Sequence, residues 1–449
     1  MGACKVVIWH TVLTIALLGT TLPAPAPDEL AEQLRTAIVA QAFKDVLDLT
    51  PPRPNPWGAP EKYDRLGAQP RDKVEPRPLH QTPNLDVAVI ELDRLGRPRT
   101  MADVLLSPRY PQGAVVRSSD AVRYRWWNDV EWNTQGGQGS RDVLPGREQA
   151  PLDFTSPYPA SVLKLMVGFG VLRLADQGRV DLDEDYDYRP EPVSQSCGGP
   201  TVKPIRVLFD EMITRSQNES TCALVKMIDE LDAWDEINDT FAELGMPTLM
   251  MTGFNPGNGG RWSGANMSGP DTAKLLLLLA GGPGVLWVTP DHRPVTRGEL
   301  SRSSREFFLR TLADQGHNEM LSTTNWCDRA YPVQGIPQRT PPRWIRPDGT
   351  VQVGNAVYDR DVRPCDARAE VTFAHKTGWV STAGSDAGVV SAPEGRHYIV
   401  VVFGNLGTGY VDRDRPADPP GIYKVLYTQK YAQLGKAIDE IMRARVAYH

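Results

Sequence analysis

Ser161 and Lys164 stand three residues apart at the head of a run that is apolar almost throughout, Val162 to Leu174. On a helix that spacing puts both side chains on one face. A serine hydroxyl is a poor nucleophile until an adjacent base takes its proton. A lysine serves as that base when burial and a second cation loosen its own proton. A helix start adds a dipole that favours developing negative charge. The chemistry these residues could do is acyl transfer through a serine ester. The plain alternative is a solvated lysine on a surface helix, and the apolar neighbours on every side oppose it.

Ser216-Gln217-Asn218 follows downstream, between two segments that read as helices, Arg206 to Arg215 and Glu219 to Leu231. Taken alone, Ser216 or Asn218 would simply cap the second helix. Taken after Ser161 and Lys164, Ser216 becomes a proton shuttle to a leaving group. Asn218 becomes an amide for the substrate and for Lys164. Farther on, Lys376-Thr377-Gly378-Trp379 opens an apolar, strand-like run. A strand edge binds an extended substrate by main-chain pairing. Lys376 and Thr377 add a charge and a hydroxyl for a substrate carboxylate, and Gly378 lets the substrate approach the backbone. His375 is placed like a base, but strand alternation turns it away from Lys376's face, so it reads as structural.

Pro159-Ala160-Ser161-Val162-Leu163-Lys164, Ser216-Gln217-Asn218 and His375-Lys376-Thr377-Gly378, in that order, resemble the motif set of the class A β-lactamase and penicillin-binding protein superfamily. The resemblance covers roughly Asn84 to the C-terminus. It implies Ser161 as acylated nucleophile and Lys164 as base or relay. It also implies an oxyanion hole from the backbone N–H groups of Ser161 and Trp379. One departure is plain. The class A pattern R-W-E-x-x-x-N has its nearest match in Arg261-Trp262-Ser263-Gly264-Ala265-Asn266, with no carboxylate from Asn255 to Pro270. The Glu that activates the deacylating water is missing, so acylation is expected and fast turnover of a β-lactam is not. A D-alanyl peptidase, an esterase and a non-turnover β-lactam sensor stay open beside a β-lactamase.

The elements that must position these residues are readable in outline. Ala160 to Gln177 is expected as a helix buried on all sides, stopped by Gly178. Pro270 to Ala280 reads as another helix. Asn84 to Leu92 and Ala121 to Trp132 read as strands. Val371 to Val380, Asp386 to Ser391 and His397 to Gly404 read as three more, the last two joined at Pro393 to Arg396. Ile422 to Val446 reads as a closing helix, and Asp28 to Leu49 as one helix with Leu30, Leu34, Ile38 and Phe43 on its stripe. Ser301 to Arg368 shows few periodic signals and reads as a disulfide-tied insertion. The expected fold is α+β, β-lactamase/transpeptidase-like: an antiparallel sheet built from both chain ends, packed with helices, beside a mainly helical subdomain.

The 449 residues carry a formal charge of -6, with no basic block suited to nucleic acid. Residues 1–26 read as an export signal: Lys5, an apolar stretch from Val6 to Leu22, and Ala24-Pro25-Ala26 at the cut. An uncleaved anchor is the alternative, and no later segment is apolar and long enough to span a bilayer. Residues 27–83 read as an N-terminal helix and a Pro-rich linker, and 84–449 as the hydrolase domain. Without Cys4, an exported chain keeps Cys197, Cys222, Cys327 and Cys365. Of the three pairings possible, Cys197–Cys222 and Cys327–Cys365 are favoured because each closes a local loop. No metal-ligand spacing occurs, and no cofactor is expected. The expected partner is a small-molecule or peptidoglycan-like substrate, met in a secreted or periplasmic location.

Overall fold

The computed structural model describes residues 27–49, 75–128, 141–323, 327, 333–354, 356–358, 361–414 and 427–446. The expected export signal, most of the Pro-rich stretch, the end of the Ala121 to Trp132 strand and the start of the Ile422 helix lie outside the described residues.

Strand alternation sets the centre of the molecule. Leu85–Leu92 (β1) is buried along its whole length. Its odd-numbered residues Leu85, Val87 and Val89 enter one core, and Ala88, Ile90 and Leu92 enter another. A strand sends successive side chains to opposite faces, so a strand apolar on both must lie between two layers. β1, Pro98–Leu106 (β2), Ala114–Val115 (β3), Thr372–Val380 (β4), Ala383–Ser391 (β5) and His397–Gly404 (β6) form one six-stranded sheet in the order β4-β5-β6-β1-β2-β3. Every pairing is antiparallel. Both chain ends contribute, as expected, and β4 with its Lys-Thr-Gly run is an edge strand.

One face of the sheet is covered by Pro27–Ala40 (α1) and by a C-terminal helix, Lys430–Val446. Leu30, Leu34 and Ile38 share a core with Tyr431, Leu434 and Ile438. The expected helix from Asp28 to Leu49 therefore stops at Ala40. Ala42 takes a left-handed φ of 49°, and Leu47–Asp48 pairs with Tyr410–Val411 instead. The helix thus shares the core of the segment that begins at Asn84 and is not separate from it.

The other face carries the helical layer: Lys164–Asp176 (α2), Ile205–Thr214 (α3), Asn218–Glu230 (α4), Trp234–Glu243 (α5), Gly269–Ala280 (α6) and Arg302–Ala313 (α7). α2 is buried on nearly every side and ends before Gly178, whose φ is 72°. α7 corrects the expectation of an irregular insertion after Ser301. Ser304, Phe308 and Leu312 recur every fourth residue and are buried, which is a helical stripe. Phe308 packs where a Cβ on Gly168 would stand only 2.6 Å away, so α2 and α7 meet through that glycine. Val122–Arg125 is a strand, but it pairs with Leu152–Thr155 outside the main sheet.

Cys197 stands beside Cys222 at a Cα–Cα distance of 5.5 Å, and Cys327 beside Cys365 at 5.2 Å, both at disulfide spacing. Among the described residues no helix is long and apolar enough to cross a membrane, and no group of His, Cys, Asp and Glu could hold a metal ion.

Candidate active site

Ser161 does not open the α-helix itself. It lies in a 3-10 turn, Ala160–Leu163, and α2 begins at Lys164. Ala160 is held at φ 48°. A non-glycine residue there costs on the order of 1 kcal/mol and persists only where its surroundings enforce it. The enforcing neighbour is β4. A Cβ on Gly378 would lie 2.6 Å from the Ser161 nitrogen and 2.8 Å from that of Val162. The glycine lets the sheet edge run against the turn, so the serine and the Lys-Thr-Gly strand pack side by side. Ser161 is half-buried there, while Lys164 and Lys376 are fully buried.

Ser216 links the two lysines. It sits between α3 and α4 at φ 55°. The Lys164 ammonium donates to the Ser216 carbonyl oxygen at 2.7 Å, lies 3.0 Å from its Oγ, and donates to Asn218 Oδ1 at 2.9 Å. Lys376 Nζ lies 3.0 Å from the same Oγ and donates to the Thr377 carbonyl at 2.7 Å. Burial, and then the charge of Lys376, push the Lys164 ammonium well below its ordinary range, with Glu219 acting weakly the other way. Burial brings Lys376 down to about 7, against the opposing pull of Asp386. A lysine that titrates this low can accept a proton at neutral pH. The hydroxyl between them can pass one on.

His375 is fully buried on the opposite face of β4. Its Nδ1 lies 2.8 Å from Asp386 Oδ1 and its Nε2 3.1 Å from Asn318 Oδ1, with its ring stacked on Phe373. It braces β4 on β5, the structural role that alternation assigns it. Thr377 Oγ1 is buried with no hydrogen-bond partner among the described residues. It is a hydroxyl left over for something else.

Two features escaped the sequence. The first is a clasp at the end of α7. Gln315 Nε2 donates to the carbonyls of Ile213 and His375, and Gly316 N donates to the Thr214 carbonyl. His317 Nε2 meets the Arg215 carbonyl at 3.2 Å, and its ring stands edge-on to Trp379. This segment ties the Ser216 turn to β4. Burial, then Lys376, hold His317 down to about 4, so it is neutral at pH 7. Polar residues in an aperiodic stretch gave no signal for it. The second is Trp262, whose ring centroid lies 5.9 Å from Lys164 Nζ. It belongs to the segment that lacks a carboxylate, and only the Arg-Trp pair hinted at its place.

The structure joins Lys164, Ser216, Asn218 and Lys376 in one hydrogen-bonded group, with Gly378 packed against the Ser161 turn and Thr377 between Lys376 and Gly378 on β4. Trp379 follows on the strand edge, with its ring 6.4 Å from that of Tyr427. Cys222 lies on α4 one turn beyond Asn218 and is paired with Cys197 from the segment before α3, and Cys327–Cys365 joins the stretch after α7 to the segment before β4.

Residues 153–328 and 353–417 match the family model described as the Beta-lactamase enzyme family. Among solved structures, PBP-A is similar at 17% identity and a TM-score of 0.43, over 96% of this chain and 98% of that one. A beta-lactamase from Chitinophaga pinensis DSM 2588 is similar at 15% identity and a TM-score of 0.42, over 80% and 93% of the two chains. One from Sphaerobacter thermophilus DSM 20745 gives 15% and 0.42, over 81% and 91%. No curated protein matches the chain.

Proposed function

Because the chain belongs to the beta-lactamase enzyme family, we propose that it is an exported serine hydrolase that forms an acyl-enzyme on Ser161. Its substrate is a β-lactam or another amide or ester bearing a carboxylate, including a peptidoglycan-like peptide. The observation that carries this reading is the single Ser216 hydroxyl shared by two buried, easily deprotonated lysines beside a half-buried serine.

Each group takes one task. Lys376 and the unpartnered Thr377 hydroxyl hold the carboxylate. Lys164 removes the Ser161 proton, and Oγ bonds to the carbonyl carbon. The backbone N–H groups of Ser161 and Trp379 receive the oxyanion. The Ser216 hydroxyl hands a proton to the leaving nitrogen or oxygen, and Lys164 reprotonates Ser216. The ester on Ser161 then awaits water. Asn255 to Pro270 offers no carboxylate to activate that water, which favours acylation faster than deacylation. A β-lactam sensor that turns over slowly is the second reading, and it rests on the same absence. In the same proposal the activity lies outside the cytoplasm, supported by the expected export signal and by the cysteine pairs Cys197–Cys222 and Cys327–Cys365 at disulfide spacing.

Turnover of a chromogenic cephalosporin, followed together with intact mass, separates the readings. Rapid turnover indicates a β-lactamase. A stable adduct indicates a slow enzyme or sensor, and no change in either contradicts an acyl-enzyme on this substrate class.

A further inference from the structure

The segment from Asn255 to Trp262 is pressed onto the site by its glycines. A Cβ on Gly257 would run into the Glu191 carbonyl oxygen, and one on Gly259 into that of Cys222. A Cβ on Gly260 would meet Cys197 Sγ. The backbone therefore lies directly on the Cys197–Cys222 pair and on α4, the helix that carries Asn218. Asn258 fixes it from the other side, donating through Nδ2 to the Pro192 carbonyl while its own carbonyl accepts from the Tyr188 hydroxyl. Arg261 then turns the chain at φ 63°. Trp262 follows, and its indole N–H donates back to the Gly259 carbonyl at 2.7 Å. The outcome of these contacts is the indole standing over Lys164 Nζ at 5.9 Å, with its ring packed on the helical core.

We propose that Trp262, held by this glycine-packed loop, is a positioning residue that sets the lifetime of the acyl-enzyme by keeping water from the Lys164 side of the ester. The inference rests on the acyl-enzyme reading of Ser161 and deepens it. Hydrolysis adds one water: its oxygen bonds to the ester carbonyl carbon and the C–Oγ bond breaks. One proton of that water returns to Ser161 Oγ, and the other leaves with the product acid. In this proposal Lys164 is the base for that water, and an apolar ring standing 5.9 Å from its Nζ takes up space that a water would otherwise fill. The loop thus does more than lack a carboxylate. It puts a hydrophobic cover beside the base that remains.

The test uses the mature protein with its disulfides intact and benzylpenicillin as the probe. Intact-mass time courses give the rates of adduct formation and decay for the parent, Trp262→Phe and Trp262→Leu. The apolar replacements keep bulk on the core, and melting curves show which variants are folded. The expected result is decay accelerated roughly tenfold in Trp262→Leu, with formation changed far less and Trp262→Phe in between. A folded variant whose adduct forms and decays like the parent's would overturn the inference alone. No adduct on the parent would overturn the acyl-enzyme reading, and this inference with it. A structural role for Trp262 would slow formation together with any change in decay, and that pattern also counts against the proposal.

Discussion

Lys164 and Lys376 meet on one hydroxyl: each Nζ lies 3.0 Å from Oγ of Ser216. Two ammonium groups that close and that buried repel each other, so one of them gives up its proton. Burial and the charge of Lys376 hold Lys164 well below its ordinary range, and burial brings Lys376 down to about 7. In the proposed reaction Lys164 is then the neutral base for Ser161 and Lys376 the cation for the substrate carboxylate.

This division predicts a bell-shaped pH profile for kcat/KM toward a carboxylate-bearing substrate. Protonation of Lys164 removes the base on the acid side. On the alkaline side Lys376 loses its charge as pH rises past about 7, and carboxylate binding weakens. Because kcat/KM reports the free enzyme, the alkaline limb should disappear in Lys376→Arg, whose cation does not titrate. An alkaline limb at the same pH in that variant would assign it to another group.

Removing the shared hydroxyl should disconnect the relay. Ser216→Ala is expected to slow acylation by about 10²- to 10⁴-fold, the usual worth of a positioned proton donor. Initial affinity for the carboxylate should change little, since Lys376 and Thr377 remain. Stopped-flow acylation of Ser216→Ala within a few-fold of the parent would show that the proton takes another route.

A third prediction concerns stability. Asp86 and Asp103 lie on adjacent strands, both on the face covered by α6, and both are fully buried. Asp86 Oδ2 accepts from the Gly269 N–H at 2.8 Å. Burial pushes Asp86 up to about 7, and burial with the Asp86 charge pushes Asp103 well above the carboxylate range. Asp271, bonded to Thr248 and Lys274, and the Tyr124 hydroxyl complete the surroundings. The unfolded carboxyl releases its proton near pH 4, while folded Asp86 keeps it to about pH 7. Between those values the folded chain binds more protons, so stability falls as pH rises. Denaturant titrations should show the parent weakening from pH 5 to 8 and Asp86→Asn resisting that loss. An unchanged pH slope in Asp86→Asn would contradict the assignment.

The cysteine pairs carry a fourth prediction. Cys197 and Cys222 are separated by 25 residues in sequence, and a bridge closing a loop of that size stabilises by about 3 kcal/mol. Peptide mapping without reductant should recover Cys197–Cys222 and Cys327–Cys365. Replacing Cys197 and Cys222 together by serine should lower stability by about that amount. Free thiols in exported protein would refute the pairing.

Much of this site was legible because its residues are rare types in an apolar or strand-edge context. Ser161 and Lys164 stand out at the turn that leads into a helix buried on nearly every side, and Lys376-Thr377-Gly378 in the second half of a largely buried strand. The three C-terminal strands were equally plain, since Tyr398 to Phe403 is apolar on both faces. What the sequence hid depends on tertiary contact. The left-handed turns at Ala160 and Ser216 are imposed by neighbours and not by residue type. Pro98–Leu106 went unread because its first half is polar and exposed, although its second half is core. The clasp of Gln315 and His317 is made with distant carbonyls, and no local period marks such bonds. Trp262 was visible as a letter beside a missing Glu, while its station over Lys164 comes from glycine contacts across three segments.

The most direct measurement is the intact mass of the purified protein after incubation with benzylpenicillin, run beside Ser161→Ala. An acyl-enzyme on Ser161 predicts a persistent mass increase of one penicillin on the parent, mapped to the peptide containing Ser161, and none on a Ser161→Ala variant that melts like the parent. An adduct that survives in Ser161→Ala would contradict it.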